Sequence, residues 1–379
     1  MSEPVATPVK PSLWHRLYHG ETTFDFVGKR KWGFLLSGIL ILVALLSLFT
    51  RGLNLGLDFE GGVAWEVPAT NGLTVGDVEG VLQDNDLDPG AAKIQTLSQG
   101  DEERIRVQVA AQSAETQVNV TAALAEEAEV GVNDVSVTSV SPTWGDEITE
   151  KAVRALVIFL IAITIYVSFR FEWRMAIAAL VAVVHDVLVS VGVYSLFGWE
   201  VTPPTVIAFL TILGFSLYDT IVVFDKVHEN TKRLVGTRAT YSDIVNLSMN
   251  QVLMRSINTS MAALLPVASL LVVGSWMLGA IALRDFALAL FVGLFVGSYS
   301  SIFIATPILA MLKEREPKYR ALREKYGEHT TDVVALQAAA AGRPLQPAAA
   351  AAADEGMVTV APVTTGLTHP PRPRRKTRR

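Results

Sequence analysis

A chain of 379 residues in which half are hydrophobic and only 18% are charged is more apolar than one water-soluble domain of this length requires. The absence of cysteine excludes a disulfide framework, a thiolate metal site and a thiol nucleophile. The net charge of -5 hides an uneven spread: residues 52–150 carry 19 acidic side chains against Lys93, Arg104 and Arg106, which argues against nucleic acid as a primary partner.

Apolar runs at Trp32 to Phe49, Ala152 to Phe169, Met175 to Phe197, Pro203 to Phe224, Ser256 to Leu278 and Phe286 to Leu312 each approach the twenty or so residues that cross a bilayer. They predict six transmembrane helices. The first reads as a retained anchor rather than a cleaved leader, because no small-x-small site follows it. Lys and Arg cluster at Lys29 to Lys31, at Arg170 and Arg174, at Lys226, Lys232, Arg233, Arg238 and Arg255, and at Lys313, Arg315, Lys318 and Arg320. By the positive-inside rule those segments are cytoplasmic, so both termini are inside and residues 51–150 are outside.

The predicted organisation is a cytoplasmic segment (1–31), a first span (32–50), an extracytoplasmic domain (51–150), five further spans (151–313) and a cytoplasmic tail (314–379). In the domain, Val63 to Val67 reads as a strand and Thr74 to Leu82 as a helix. Ile94 to Leu97, Arg104 to Val109, Val118 to Ala128 and Val132 to Val140 then read strand, strand, helix, strand. This is the split βαβ order of an α/β ferredoxin-like domain. Turn chemistry stands at Asp88-Pro89-Gly90 and Gly100-Asp101. Glu314 to Tyr326 predicts a short charged helix. Beyond Gly327 an Ala-rich, Pro-containing stretch with a basic end predicts a disordered tail, whose last residues suit anionic lipid or RNA if they bind anything.

Asp219 lies well inside the fourth apolar run, where an ionised carboxylate costs several kcal/mol unless paired or hydrated. A carboxyl at that depth is suited to taking up and releasing protons; the plainer alternative is a protonated Asp that ties two helices together. Asp186, in the middle of the third run beside His185, shares the same cost, and the two carboxylates with the histidine offer a proton relay. Arg255 opens the fifth run within a polar cluster, either as the counter-ion of Asp219 or as a snorkelling helix-end arginine. Gly293, Gly297, Ser298, Ser300 and Ser301 in the sixth run allow close helix packing. No phosphate-cradling Gly pattern is present, and Gly61-Gly62 reads as a turn. No metal site or cofactor is expected beyond protons as the coupling ion.

Taken in order, several segments carry a resemblance. Gly56-Leu57-Asp58-Phe59-Glu60-Gly61-Gly62 follows the first run, and Phe169 to Arg174 precedes Val184-His185-Asp186. Gly214 to Asn230, Asn250-Gln251 with Arg255, and Val296 to Phe303 complete the set. Over about Phe24 to Pro307 the chain resembles the SecF branch of the SecD/SecF protein-export family, within the resistance-nodulation-division superfamily. The resemblance implies a bacterial plasma-membrane accessory to the Sec translocon channel, driven by protons, that packs six helices against a SecD-like partner and engages translocating polypeptide. It assigns Asp219 and Arg255 to the proton pathway, and Gly56, Asp58, Phe59, Gly61 and Gly62 to the family signature. Tyr218 departs from the Asn often found beside the aspartate. Three other readings stand beside it. A small-molecule efflux subunit of the same superfamily would usually carry both halves in one chain. An intramembrane aspartyl protease would need a Gly-x-Gly-Asp motif that Asp186 lacks. In a scaffold, buried polar residues would serve only to fix packing.

Overall fold

The computed structural model describes residues 17–18, 22–70, 72–99, 102–234, 239–277 and 281–326. The expected Gly100-Asp101 turn, Arg238 and the Ala-rich tail lie outside the described residues.

Among the described residues, six helices are long and apolar enough to cross a membrane. Helix α1 (Arg30–Arg51) stops at Gly52, whose φ of 69° admits the turn without a Cβ clash. Then come the two-residue strand β1 (Asn54–Leu55), the single turn α2 (Leu57–Glu60), strand β2 (Gly62–Pro68), helix α3 (Val75–Asp84), strands β3 (Lys93–Gln99) and β4 (Glu102–Val109), helix α4 (Ala114–Glu127) and strand β5 (Ser136–Val140). The remaining spans follow as α5 (Pro142–Arg170), α6 (Trp173–Phe197), α7 (Pro203–Arg233) after the short strand β6 (Glu200–Val201), α8 (Tyr241–Ser269) and α9 (Ile281–Ser300). The last span continues into α10 (Thr306–Glu314), and α11 (Pro317–Tyr326) closes the described chain.

The predicted strand-helix-strand-strand-helix-strand succession is observed, with ends shifted by a few residues. Its four strands form one antiparallel sheet in the order β3-β4-β2-β5. Alternation decides which face is packed. Val63, Trp65 and Val67 of β2, with Ile105 and Val107 of β4, turn toward α3 and α4 and share a core with Val78, Leu82, Val120 and Leu124. The one polar handle in that core is satisfied, since Trp65 Nε1 donates to Thr121 Oγ1 at 2.9 Å. Helix α3 starts at a reciprocal cap between Thr74 and Asp77. The predicted final strand is shorter than expected because 132–134 form a 3-10 turn.

The sheet domain is tied to the helical part at its base. Gly61 and Gly62 adopt φ of 72° and 126°, conformations that favour glycine and turn the chain from α2 into β2. A Cβ on Gly145 would lie 2.3 Å from the Phe59 carbonyl oxygen, so the turn α2 rests on the first turns of α5. On the other side β1 pairs in parallel with β6, Asn54 with Glu200 and Leu55 with Val201, and Gly56 N–H donates to the Val201 oxygen at 2.9 Å.

Helices α5 and α8 begin 10 and 15 residues before the expected starts at Ala152 and Ser256. In α8 every residue from Tyr241 to Asn250 is buried, although half are polar. Asn246 Oδ1 accepts from the Phe26 and Val27 amides, each at 3.0 Å, and Asn250 bonds both main-chain groups of Phe24 at 2.8 Å. That end of the molecule is closed by ion pairs. Buried Lys313 meets Glu172 and Glu316, Arg174 meets Glu316, and Glu314 takes Ser242 and Arg323. Lys and Arg of the four segments that the charge rule assigned to one side lie toward that end, apart from Arg238, which is not among the described residues, and Arg255, which lies beside Ser256 at the level of Asp219 well inside α8. The sheet domain and β6 occupy the other end.

Candidate functional site

Asp219 sits midway along α7 and is 9% exposed. Each carboxylate oxygen is taken by a serine from a different element: Ser256 Oγ of α8 donates to Oδ1 at 2.8 Å, and Ser301 Oγ donates to Oδ2 at 2.5 Å. Ser301 reaches it because residues Ser301–Ala305 form a π-helical turn between α9 and α10. Pro307 lacks an amide hydrogen, which disturbs the ordinary ladder in that turn, and Thr306 Oγ1 covers the Ser301 carbonyl at 2.7 Å. π-turns of this kind recur at functional sites.

Beside Asp219 lies a cleft of about 20 Å³ lined by Phe215, Ser216, Tyr218, Thr259, Ser260 and Gly297, among others, which is room for about one water. Tyr218 lines this cleft and is half exposed. Close helix approach makes the site: a Cβ on Gly293 would fall 2.2 Å from Ile212, and one on Gly297 2.9 Å from Ser216. Both glycines of the expected packing seam therefore bring α9 against α7. Ser298 adds a hydroxyl pair with Ser260 of α8 at 2.8 Å.

Asp186 on α6 forms a second site and is 1% exposed. Ser216 Oγ donates to its Oδ2 at 2.5 Å, and His185 Nδ1 lies 3.0 Å from its Oδ1. His185 Nε2 is buried with no hydrogen-bond partner among the described residues. Ser216 belongs to both sites, lining the cleft beside Asp219 while bonding Asp186.

Arg255 is not brought to Asp219. Its side chain is exposed on α8, and the inward place belongs to Ser256. Successive residues on a helix are rotated by about 100°, so neighbours in sequence cannot both face α7. The signature residues do not join either aspartate: Gly56 and Phe59 are buried at the base of the sheet domain, with Asp58 half-buried in α2. Sequence reasoning missed Ser256 as a partner of Asp219, and read Ser301 only as a packing residue. The one available signal was a serine at each helix level facing an intramembrane carboxylate.

The arrangement brings an acidic group, neutral hydroxyl donors from two further elements and a water-sized space to one point between four helical segments. A protonated carboxyl at this point would donate a hydrogen bond where the carboxylate accepts one, which would change what the two hydroxyls bond.

Comparison with known proteins bears on this geometry. Residues 120–315 match the family described as protein export membrane protein SecD/SecF, C-terminal, and residues 46–64 match the SecD/SecF GG motif. The chain belongs to the SecD/SecF family. It is 43% identical to the protein translocase subunit SecF of Streptomyces coelicolor over 91% of this chain and 89% of that one. It is 42% identical to SecF of Mycobacterium tuberculosis over 80% of this chain and 70% of the relative. The crystal structure of SecDF from Thermus thermophilus, described as a translocon-associated membrane protein, superposes with a TM-score of 0.70 at 35% identity, covering 81% of this chain. This chain spans only 40% of that SecDF chain. A second SecDF structure, in a super-membrane-facing form, gives a TM-score of 0.57 at 34% identity, again over 40% of its length. With its six apolar helices, this SecD/SecF member is a multi-pass membrane protein.

Proposed function

We propose that this chain is the SecF-type half of a proton-driven accessory to the Sec protein translocase, working with a SecD-like partner on polypeptide that leaves through the Sec channel. The observation that carries the reading is Asp219, buried in mid-span and held by hydroxyls from α8 and the π-turn beside a water-sized cleft. Protonation of Asp219 removes one acceptor charge, the Ser256 and Ser301 bonds rearrange, and α7, α8 and α9 repack. Membrane potential supplies about 2.3 kcal/mol per charge per 100 mV. Asp186 and His185, joined to the cleft through Ser216, extend the path; Arg255 acts from the exposed face of α8.

On this reading the plasma membrane of a bacterium is the setting and its lipids are direct neighbours. Both termini are cytoplasmic, and residues 51–150 form a ferredoxin-like domain outside. A SecD-like partner is supported by the fused SecDF relative, of which this chain spans less than half, and by α5 and α8, whose apolar windows are only 6% buried within this chain. Nothing favours the efflux or protease readings, and no cofactor enters the cycle.

The test is Asp219→Asn in membrane vesicles carrying the translocase. The variant assembles at normal level and loses the stimulation of export by a proton gradient; export stimulated as in the unmodified protein refutes the reading.

A further inference from the structure

The sheet has two outer strands, and only one of them is shielded. Strand β3 is largely half-buried, holds Lys93 against Glu60 at 2.7 Å and packs near the π-helical segment Leu270–Met277 that continues α8. Strand β5 is exposed from Ser136 to Ser139 and contains neither charge nor proline. Natural sheets usually protect an edge with charge, proline, a bulge or a covering element. Ser136-Val137-Thr138-Ser139-Val140 has none of the first two, keeps an unbulged register against β2, and among the described residues has no sheet neighbour on its outer side.

The register tells which groups face outward. Along an inner antiparallel strand, alternate residues direct both main-chain groups to the same neighbour. The Ala69 amide donates to the Glu103 oxygen at 2.7 Å, so odd-numbered positions of β2 bond β4. Gly62, Ala64 and Glu66 then bond their β5 partners Val140, Thr138 and Ser136. Val137 and Ser139 are left with N–H and C=O directed away from the sheet, and no hydrogen bond reaches either group among the described residues.

We propose that β5 is a docking strand for an extended, unfolded polypeptide, which joins the sheet as a fifth strand by bonding the main chain of Val137 and Ser139. Strand addition reads backbone, so it accepts many sequences. Charge selects among occupants. The segment 52–150, with 19 acidic and 3 basic residues, repels a second copy of itself and attracts a neutral or basic segment. Two outward residues give a short ladder, so the grip is weak and readily released, as a chain in transit requires. The identity of the occupant as exported polypeptide rests on the function proposed above; the strand addition itself does not.

The experiment uses the full chain in lipid nanodiscs and a fluorescent, unstructured, lysine-containing 20-residue peptide without proline. Ser139→Pro removes one outward N–H and spares the β2 ladder, since proline is tolerated where the amide faces out. Each lost bond weakens peptide binding by about fivefold, and Val137→Pro with Ser139→Pro together by about 25-fold, with unchanged thermal unfolding. A peptide N-methylated at every residue, which has no main-chain donor on either edge, fails to bind the unmodified protein. Binding that is indifferent to both proline variants overturns the inference, as does a Ser139→Pro effect confined to self-association of the chain. Because no proton gradient or partner enters this assay, its failure is distinct from that of the Asp219→Asn export test.

Discussion

Asp219 and Asp186 are the same residue at similar depth in adjacent helices, yet their surroundings differ in kind. Asp219 receives two serine hydroxyls from two other elements and borders a cleft that admits about one water. Asp186 is 1% exposed, bonded by Ser216 from across the interface and by His185, its own neighbour in the chain. The first site is assembled from parts that can separate, and water is at hand to replace them. The second is closed. Depth in the membrane therefore marks both residues as costly, whereas the origin of the hydrogen-bond donors and the access of water distinguish a moving site from a fixed one.

The largest expected contrast is in activity. Asp219→Asn abolishes gradient-stimulated export, while Asp186→Asn lowers it without abolishing it, measured in the same vesicles; equal loss at both positions breaks the distinction. Stability should rank the other way. Asp186→Ala takes the buried carboxylate partner from both His185 and Ser216 and costs about 2 kcal/mol, whereas at Asp219 the adjoining cleft offsets part of the loss and Asp219→Ala costs about 1 kcal/mol. Unfolding in mild detergent reads the difference, and a reversed order contradicts the assignment of the cleft.

A smaller perturbation probes the shared residue. Gly297→Ala sets a methyl 2.9 Å from Ser216 Cβ, which moves Ser216 and costs about 1 kcal/mol. Its effect on export should fall between those of the two aspartate variants. The smallest effect belongs to a carboxylate in water. Thr74 hydrogen bonds, from side chain and then backbone, hold Asp77 below the ordinary aspartate range. Its contribution is present above the unfolded-state value and is lost as pH falls through the lower folded one. In a carbon-detected NMR titration, Thr74→Ala should move Asp77 part of the way back toward the ordinary range, the amide at position 74 still donating to it; no movement means the side-chain cap is not the cause.

The six spans and the order of elements in the sheet domain were readable because apolar runs and strand alternation are one-dimensional patterns. The early part of α8 was not. Ser242, Asp243, Asn246, Ser248 and Asn250 look like a solvated loop by hydropathy, yet they are buried because part of that turn grips the segment Phe24 to Val27 and Ser242 binds Glu314. Asp219 stood out through the cost of its charge. Its partners did not, since a serine in a membrane helix has the same appearance whether it fills space or donates to a carboxylate. Arg255 was linked to Asp219 by its place in the polar cluster that opens the fifth apolar run, and one residue of helical rotation separates its face from that of Ser256. The two-residue pairing of β1 with β6 carries no pattern at all, being too short to show alternation.

That brief pairing has a mechanical consequence. Val201 is separated from Pro203, the first residue of α7, by Thr202 alone, and Asp219 lies sixteen residues further along the same unbroken helix, about 24 Å at the usual rise. Axial travel of this rod is passed directly to Asn54 and Leu55 and on to the glycine hinge ahead of β2. On the function proposed above, a proton event at Asp219 has a stiff linkage of a single helix to the base of the sheet, and slack introduced between Val201 and Pro203 would uncouple the two ends while leaving each one folded.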